Sequence, residues 1–192
     1  MGKQIFSGKV REVLQAGGVG VIPTDTIYGI VGSALNPKTV ERIYRLRKRE
    51  KSKPMIVLLG RVEQLGLFGV RLSQPEKNLL KKYWPGKVSV ILPVRSAKFA
   101  YLHRGTKTIA FRLPAFPALR KLLTETGPLV APSATWGGYP AALTIPSARK
   151  YFGKQAAFYV NVGELRSKPS TLVTLRRGRP VVLRSGAKKI VF

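Results

Sequence analysis

The sequence predicts an α/β fold with several crossovers, and three observations carry that expectation. Short apolar runs of strand length recur along the chain, bounded by glycine or proline, as at 19–22, 55–59 and 129–131. Between them lie segments whose apolar residues are spaced by three and four, the helical period. A length of 192 residues and an apolar fraction of 44% suit one globular domain over 1–192, able to bury roughly 70% of its unfolded surface, and argue against disorder.

Taken in order, residues 7–16 carry Val10, Val13 and Leu14 at helical spacing, a helix expected to pack on the sheet. Gly17-Gly18-Val19-Gly20 lacks the Lys-Ser/Thr ending of a phosphate loop and precedes a strand, so it reads as a helix-to-strand turn. The run 19–22 is a buried strand ended by Pro23. Thr24, Asp25 and Thr26 then set three small polar groups side by side, and strand character resumes over 27–31. The next helix has a marked start, with Asn36 as N-cap, Pro37 at the first position and Glu41 in the early turns. Val40, Ile43 and Arg47 share one helix face. Two of the three are apolar, so Arg47 leaves the helix from its inward side. Arg49, Lys51 and Lys53 follow, then Pro54 and a second buried strand, 55–59. This βαβ-like unit admits two readings: a crevice for a small zwitterion beside a polyphosphate, or a solvated basic helix end beside a hydrogen-bonded turn.

Further on, 61–68 reads as a short helix, and Ser73-Gln74-Pro75-Glu76 as a capping box starting a helix through Tyr83. Trp84-Pro85-Gly86 breaks it, and 87–94 is a strand. Residues 95–107 read as a polar loop holding His103, incidental more often than catalytic. In the strand 108–114, Thr108, Ala110 and Arg112 share a face. An arginine there needs a partner. A bound anion would supply one, and an internal ion pair is the alternative, with few carboxylates to make it. A helix over 118–126 ends at Gly127-Pro128, and a strand then reaches the small-residue turn at Ser133 and Thr135. A helix over 144–152 and a strand over 156–162 complete the pattern.

Charge is the strongest compositional signal: 35 basic residues against 8 acidic, a net +27. Asp25 is the one aspartate and His103 the one histidine, and there is no cysteine. Disulfides, thiolate zinc sites and cysteine nucleophiles are excluded. A two-metal carboxylate site, a Ser-His-Asp triad and a glycosidase carboxylate pair all lack candidates. Cations, hydroxyls and backbone groups remain, which favours phosphate-bearing partners. The first residues lack the apolar core of a signal peptide, and no apolar run approaches membrane-spanning length, so a cytoplasmic protein with no membrane partner is expected.

The ordered motifs resemble the YrdC/TsaC-like family of threonylcarbamoyl-AMP synthases. The residues carrying the resemblance are Pro23-Thr24-Asp25-Thr26-Ile27-Tyr28-Gly29, Arg47-Lys48-Arg49 with Pro54, and Trp84-Pro85-Gly86-Lys87-Val88-Ser89. Further along come Thr108-Ile109-Ala110-Phe111-Arg112-Leu113-Pro114, Ser133-Ala134 with Gly138, Pro169-Ser170-Thr171-Leu172-Val173, and Leu183-Arg184-Ser185-Gly186. The chain departs from the family pattern at Arg47 (lysine), Thr135 (asparagine), Ala131 (often serine), Thr174 (often aspartate) and Leu58 (histidine in some relatives).

The resemblance implies a twisted mixed sheet flanked by helices, in an open-barrel architecture. It implies condensation of L-threonine, bicarbonate and ATP into threonylcarbamoyl-adenylate with release of pyrophosphate, the first step of t6A modification of tRNA. Arg47 and Arg49 would be catalytic. Thr26, Arg112 and Ser170 would bind L-threonine, and Arg49, Lys53, Thr108, Ser133, Thr135 and Arg184 would bind ATP. ATP would be a substrate, accompanied by Mg2+, with no protein-ligated metal. Transfer RNA or double-stranded RNA could meet the basic surface, and a threonylcarbamoyl transferase complex could be a partner. The alternative is a basic RNA-binding module with weak or no synthase activity. Its warrant is the basic run 42–53, although the aromatics read as scattered core residues with no stacking pattern. A carbamoyltransferase acting on another acceptor is disfavoured by the chain's short length.

Overall fold

Asn36 begins the helix that organises the first half of the molecule. Its side-chain oxygen accepts from the backbone N–H groups of Lys38 and Thr39, satisfying two donors that a helix start leaves unpaired. The helix α2 (Pro37–Leu46) buries Thr39, Val40, Ile43 and Tyr44 against the sheet. Before it come α1 (Gly8–Gln15), β1 (Gly20–Ile22) and β2 (Gly29–Ser33). The structure, a computed structural model, describes residues 5–50 and 52–191; Lys51 lies outside them.

Beyond α2 the chain forms β3 (Val57–Leu58), a 3-10 turn at Val62–Phe68, α3 (Gln74–Tyr83) and β4 (Val88–Pro93). The capping box expected at Ser73 is present, with Glu76 reaching back to the Ser73 backbone. Then follow α4 (Ala100–His103), β5 (Thr108–Arg112), α5 (Pro117–Thr126), β6 (Leu129–Val130) and α6 (Ile145–Phe152). The last strands are β7 (Phe158–Tyr159), β8 (Thr171–Arg176) and β9 (Arg179–Arg184). The polar loop expected over 95–107 is in fact partly helical. A 3-10 turn (Ala97–Phe99) leads into α4, because Phe99 and Leu102 are buried three residues apart.

Among the described residues the strands form one sheet in the order β7-β1-β2-β6-β3-β5-β4-β8-β9. It is mixed: β1–β7, β3–β5 and β4–β8 run parallel and the other pairs antiparallel. Its ends, β7 and β9, do not meet, so the sheet is open. The βαβ-like unit is split. β6 lies antiparallel between β2 and β3, which makes those two parallel with one strand interposed. β3 and β7 are also shorter than the apolar runs that announced them.

Two apolar layers cover the sheet. The larger joins Tyr28, Ile43, Tyr44, Phe68, Phe111 and Phe152, and the smaller joins α1 and α5 through Leu14, Leu119, Leu122 and Leu123. Gly17-Gly18 is a plain turn from α1 to β1, with Gly17 at φ 81° donating its N–H to Leu14 O.

Candidate active site

The polar corner after β1 is built by Thr24. Its hydroxyl accepts from the N–H groups of Thr26 (3.1 Å) and Ile27 (3.2 Å) and donates to the Ile27 carbonyl (2.7 Å). A short polar side chain next to its own backbone forms such turns readily. The Thr26 hydroxyl lies 3.0 Å from that of Thr24 and is buried. Backbone bonds from Ile30 N to Pro132 O and from Ala134 N to Tyr28 O dock the small-residue turn against this corner.

Arg47 emerges on the inward side of α2, as its helix-face position predicts, and is 4% exposed. Its Nε donates to the Thr135 carbonyl at 3.0 Å, while one terminal nitrogen is buried without a partner. Burial, and then the charge of Arg49, lower its pKa from the usual guanidinium value to about 10. Arg49 donates to the carbonyls of Lys53 (3.2 Å) and Pro54 (3.3 Å), which curls the elbow back on itself. At the far end of the chain, Arg184 donates to the Ser170 carbonyl at 2.9 Å, and the Ser170 and Ser89 hydroxyls are 2.7 Å apart. Burial and the charge of Arg49 lower the Arg184 pKa as well.

These groups line one cavity of about 190 Å³, whose walls include Thr26, Arg47, Arg49, Arg112, Ser133, Ser170 and Arg184. Four guanidinium groups face it, and among the described residues no carboxylate lines it. Arg47 and Arg112 are buried, and a desolvated cation favours a nearby anion, so the lining is of a kind that suits anions. Pockets for drug-sized ligands run to roughly 300–1,000 Å³. The volume of this cavity therefore suits a small ligand.

Two partners were expected as alternatives for Arg112, a bound anion or an internal ion pair, and the structure shows the second. Arg112 has an internal partner: its terminal nitrogen lies 2.6 Å from Asp25, which also accepts from Ala115 N at 2.9 Å. Both side chains are buried. Burial lowers the Arg112 pKa and Asp25 opposes that shift, while Arg184 adds to it. The single aspartate thus supplies a counter-charge, although few carboxylates were available to do so. Arg112 Nε is buried without a partner.

Three predicted residues do not line the cavity. Lys53 points to solvent and pairs with Glu50 at 2.7 Å. The Thr108 hydroxyl donates to that of Thr106 at the outer end of β5. Thr135 is buried, but its hydroxyl donates to Tyr139 O at 3.3 Å, and its carbonyl serves Arg47. His103 and Leu58 are buried elsewhere. Thr24 and Ser89 also line the cavity, although neither was assigned a ligand; each lies inside a motif carrying the resemblance. Among the described residues no group of three or more histidine or acidic side chains could hold a metal ion. No described helix is long and apolar enough to cross a membrane.

An open mixed sheet with a hollow lined by four arginines defines an α/β protein with a cationic pocket. The chain belongs to the Sua5/YciO/YrdC family, whose profile, described as telomere recombination, matches residues 12–186. It is 30% identical over 185 residues to the threonylcarbamoyl-AMP synthase of Pyrococcus abyssi, covering 95% of this chain but 53% of that protein. It is also 30% identical over 171 residues to the threonylcarbamoyl-AMP synthase of Thiobacillus denitrificans, covering 88% and 91%. Among solved structures, P. abyssi Sua5 complexed with L-threonine superposes with a TM-score of 0.86 at 28% identity, over 93% of this chain and 53% of that one. Escherichia coli YciO gives 0.83 at 25% identity, over 94% and 89%. The chain therefore spans about half the length of the P. abyssi protein.

Proposed function

We propose that this chain is an enzyme that makes L-threonylcarbamoyl-adenylate from L-threonine, bicarbonate and ATP with release of pyrophosphate, in the t6A pathway of tRNA modification. The observation that carries the reading is the shared cavity: four arginines and the hydroxyls of Thr26, Ser133 and Ser170 line one hollow. The names of the relatives add the substrate class.

In this reading the threonine amine and hydroxyl meet Thr26 and Ser170, and its carboxylate meets the free edge of Arg112. Asp25 holds that guanidinium in place. Bicarbonate and the amine give a carbamate and water, and a carbamate oxygen then attacks the α-phosphorus of ATP as pyrophosphate leaves. Two anions must meet for that bond to form. Arg47, already desolvated, with Arg49 and Arg184 beside it on the cavity wall, stabilises the charge on the triphosphate and on the attacking carboxylate. Fixed donors of this kind contribute more than a general base when no proton transfer limits the step. Mg2+ enters with ATP as part of the substrate.

The test is release of pyrophosphate from ATP with each co-substrate omitted in turn. The expected outcome is release that requires both threonine and bicarbonate, and that falls roughly 10²–10³-fold in Arg49→Ala. Release independent of threonine, or untouched by Arg49→Ala, would overturn the assignment.

A further inference from the structure

The aromatic residues are not all scattered through the core. Trp136, Tyr139 and Tyr151 form an edge-on cluster, with ring centroids 5.8 Å (Trp136–Tyr139) and 5.4 Å (Trp136–Tyr151) apart. They stand beside a second hollow, an open groove of about 810 Å³ between the end of α2 and the α6 segment. Trp136 and Tyr151 line it together with Arg42, Arg45, Lys48, Arg149, Lys150 and Lys154. All six cations are exposed, and among the described residues no aspartate or glutamate lines the groove.

The groove is separate from the cavity, although both use the same elbow. Arg47 and Arg49 face the cavity. Lys48 between them adopts φ 48°, which turns it the other way, and its ammonium sits 3.6 Å from the centroid of the Trp136 ring. The walls are held in advance. Trp136 Nε1 donates to Tyr151 O, Arg42 donates to Gln155 O, and the Arg149 guanidinium stacks over Tyr159 at 4.1 Å.

We propose that this groove is a binding site for single-stranded nucleic acid, distinct from the cavity and independent of its activity. A cationic track tolerates any polyanion. The ring cluster narrows the class, because Tyr139 is 59% exposed at its edge and every unpaired base offers a face to stack on such a ring. A duplex keeps its base faces inside its own stack, and a phosphopeptide has no bases.

The experiment is fluorescence anisotropy with a labelled single-stranded oligoribonucleotide of about 12 nucleotides, within the span of about 4–16 that stacking grooves cover. It is run across a KCl series. Arg45→Gln/Lys150→Gln should flatten the slope of log K against log[salt] by roughly 1.4, since each phosphate contact on a single strand contributes about 0.7. Tyr139→Ala should weaken binding about tenfold at every salt concentration. Neither variant touches the cavity, so pyrophosphate release should stay at the wild-type rate and report an intact fold. Unchanged affinity and slope in both variants would overturn the proposal. So would displacement of the strand by saturating ATP, or a duplex of equal length binding as tightly and ignoring Tyr139→Ala.

Discussion

Arg47 shows in one side chain what a buried cation costs the fold. It is 4% exposed, with one bond from Nε and one buried terminal nitrogen without a partner. For a base, a folded-state pKa below the unfolded one means that folding weakens proton binding. The Arg47 charge therefore costs stability at every pH below about 10, and the cost fades only as pH rises from there towards the ordinary guanidinium value. Between pH 6 and 9 it is constant. Arg47→Met should thus melt about 2–4 °C higher than wild type, about 1 kcal/mol for a chain of this size, while losing pyrophosphate release. A lower melting point would show that the charge is already compensated in the free protein. The Asp25–Arg112 pair behaves oppositely. Asp25→Ala strands a buried guanidinium and should cost about 3–5 kcal/mol in chemical denaturation. Arg112→Met added to it should return much of that loss, and no return would mean that Asp25 acts through Ala115 N instead. The inward exit of Arg47 was legible from its place on the Val40–Ile43 face. The ion pair was not, since its partners stand 87 positions apart.

At the level of elements, the last hairpin closes the cavity, and Gly186 sets how closely it does so. A Cβ on Gly186 would stand 2.2 Å from Pro169 O and 2.6 Å from Ser170 C and Thr171 N, all backbone atoms with no room to yield. Ala187 N donates to Pro169 O at 2.8 Å across the same approach. Gly186→Ala should therefore push the end of β9 away from the segment leading into β8 and separate Arg184 from the Ser170 carbonyl. The expected result is a loss of at least about tenfold in kcat/KM for threonine, with near-native circular dichroism; an unchanged kcat/KM would mean that the hairpin is not a wall of the site. Helix starts were the most legible elements, because Asn36 and Ser73 act within one turn of their own positions. Strand order was not legible. The insertion of β6 between β2 and β3 depends on pairings far apart in sequence, which local apolar pattern does not encode. α4 was missed because polar neighbours masked Phe99 and Leu102.

For the molecule as a whole, two groups of cations stand out within the net +27. Four arginines, Arg47 and Arg112 of them buried, line a hollow that single motifs, read in order, assemble from both ends of the chain. Others lie exposed along a groove whose rings converge only after folding. Seven of the ten expected site residues line the cavity. The three that do not, Lys53, Thr108 and Thr135, share motifs or strand faces with residues that do. Their side chains go instead to Glu50, Thr106 and the Tyr139 carbonyl, partners that spacing does not reveal. The most direct measurement is a crystal structure of the chain with L-threonine and a non-hydrolysable ATP analogue. The account predicts both ligands in the one cavity, the amino acid against Thr26, Arg112 and Ser170 and the triphosphate across Arg47, Arg49 and Arg184. Ligands in two separate places, or a cavity left empty at saturating concentrations of both, would contradict it.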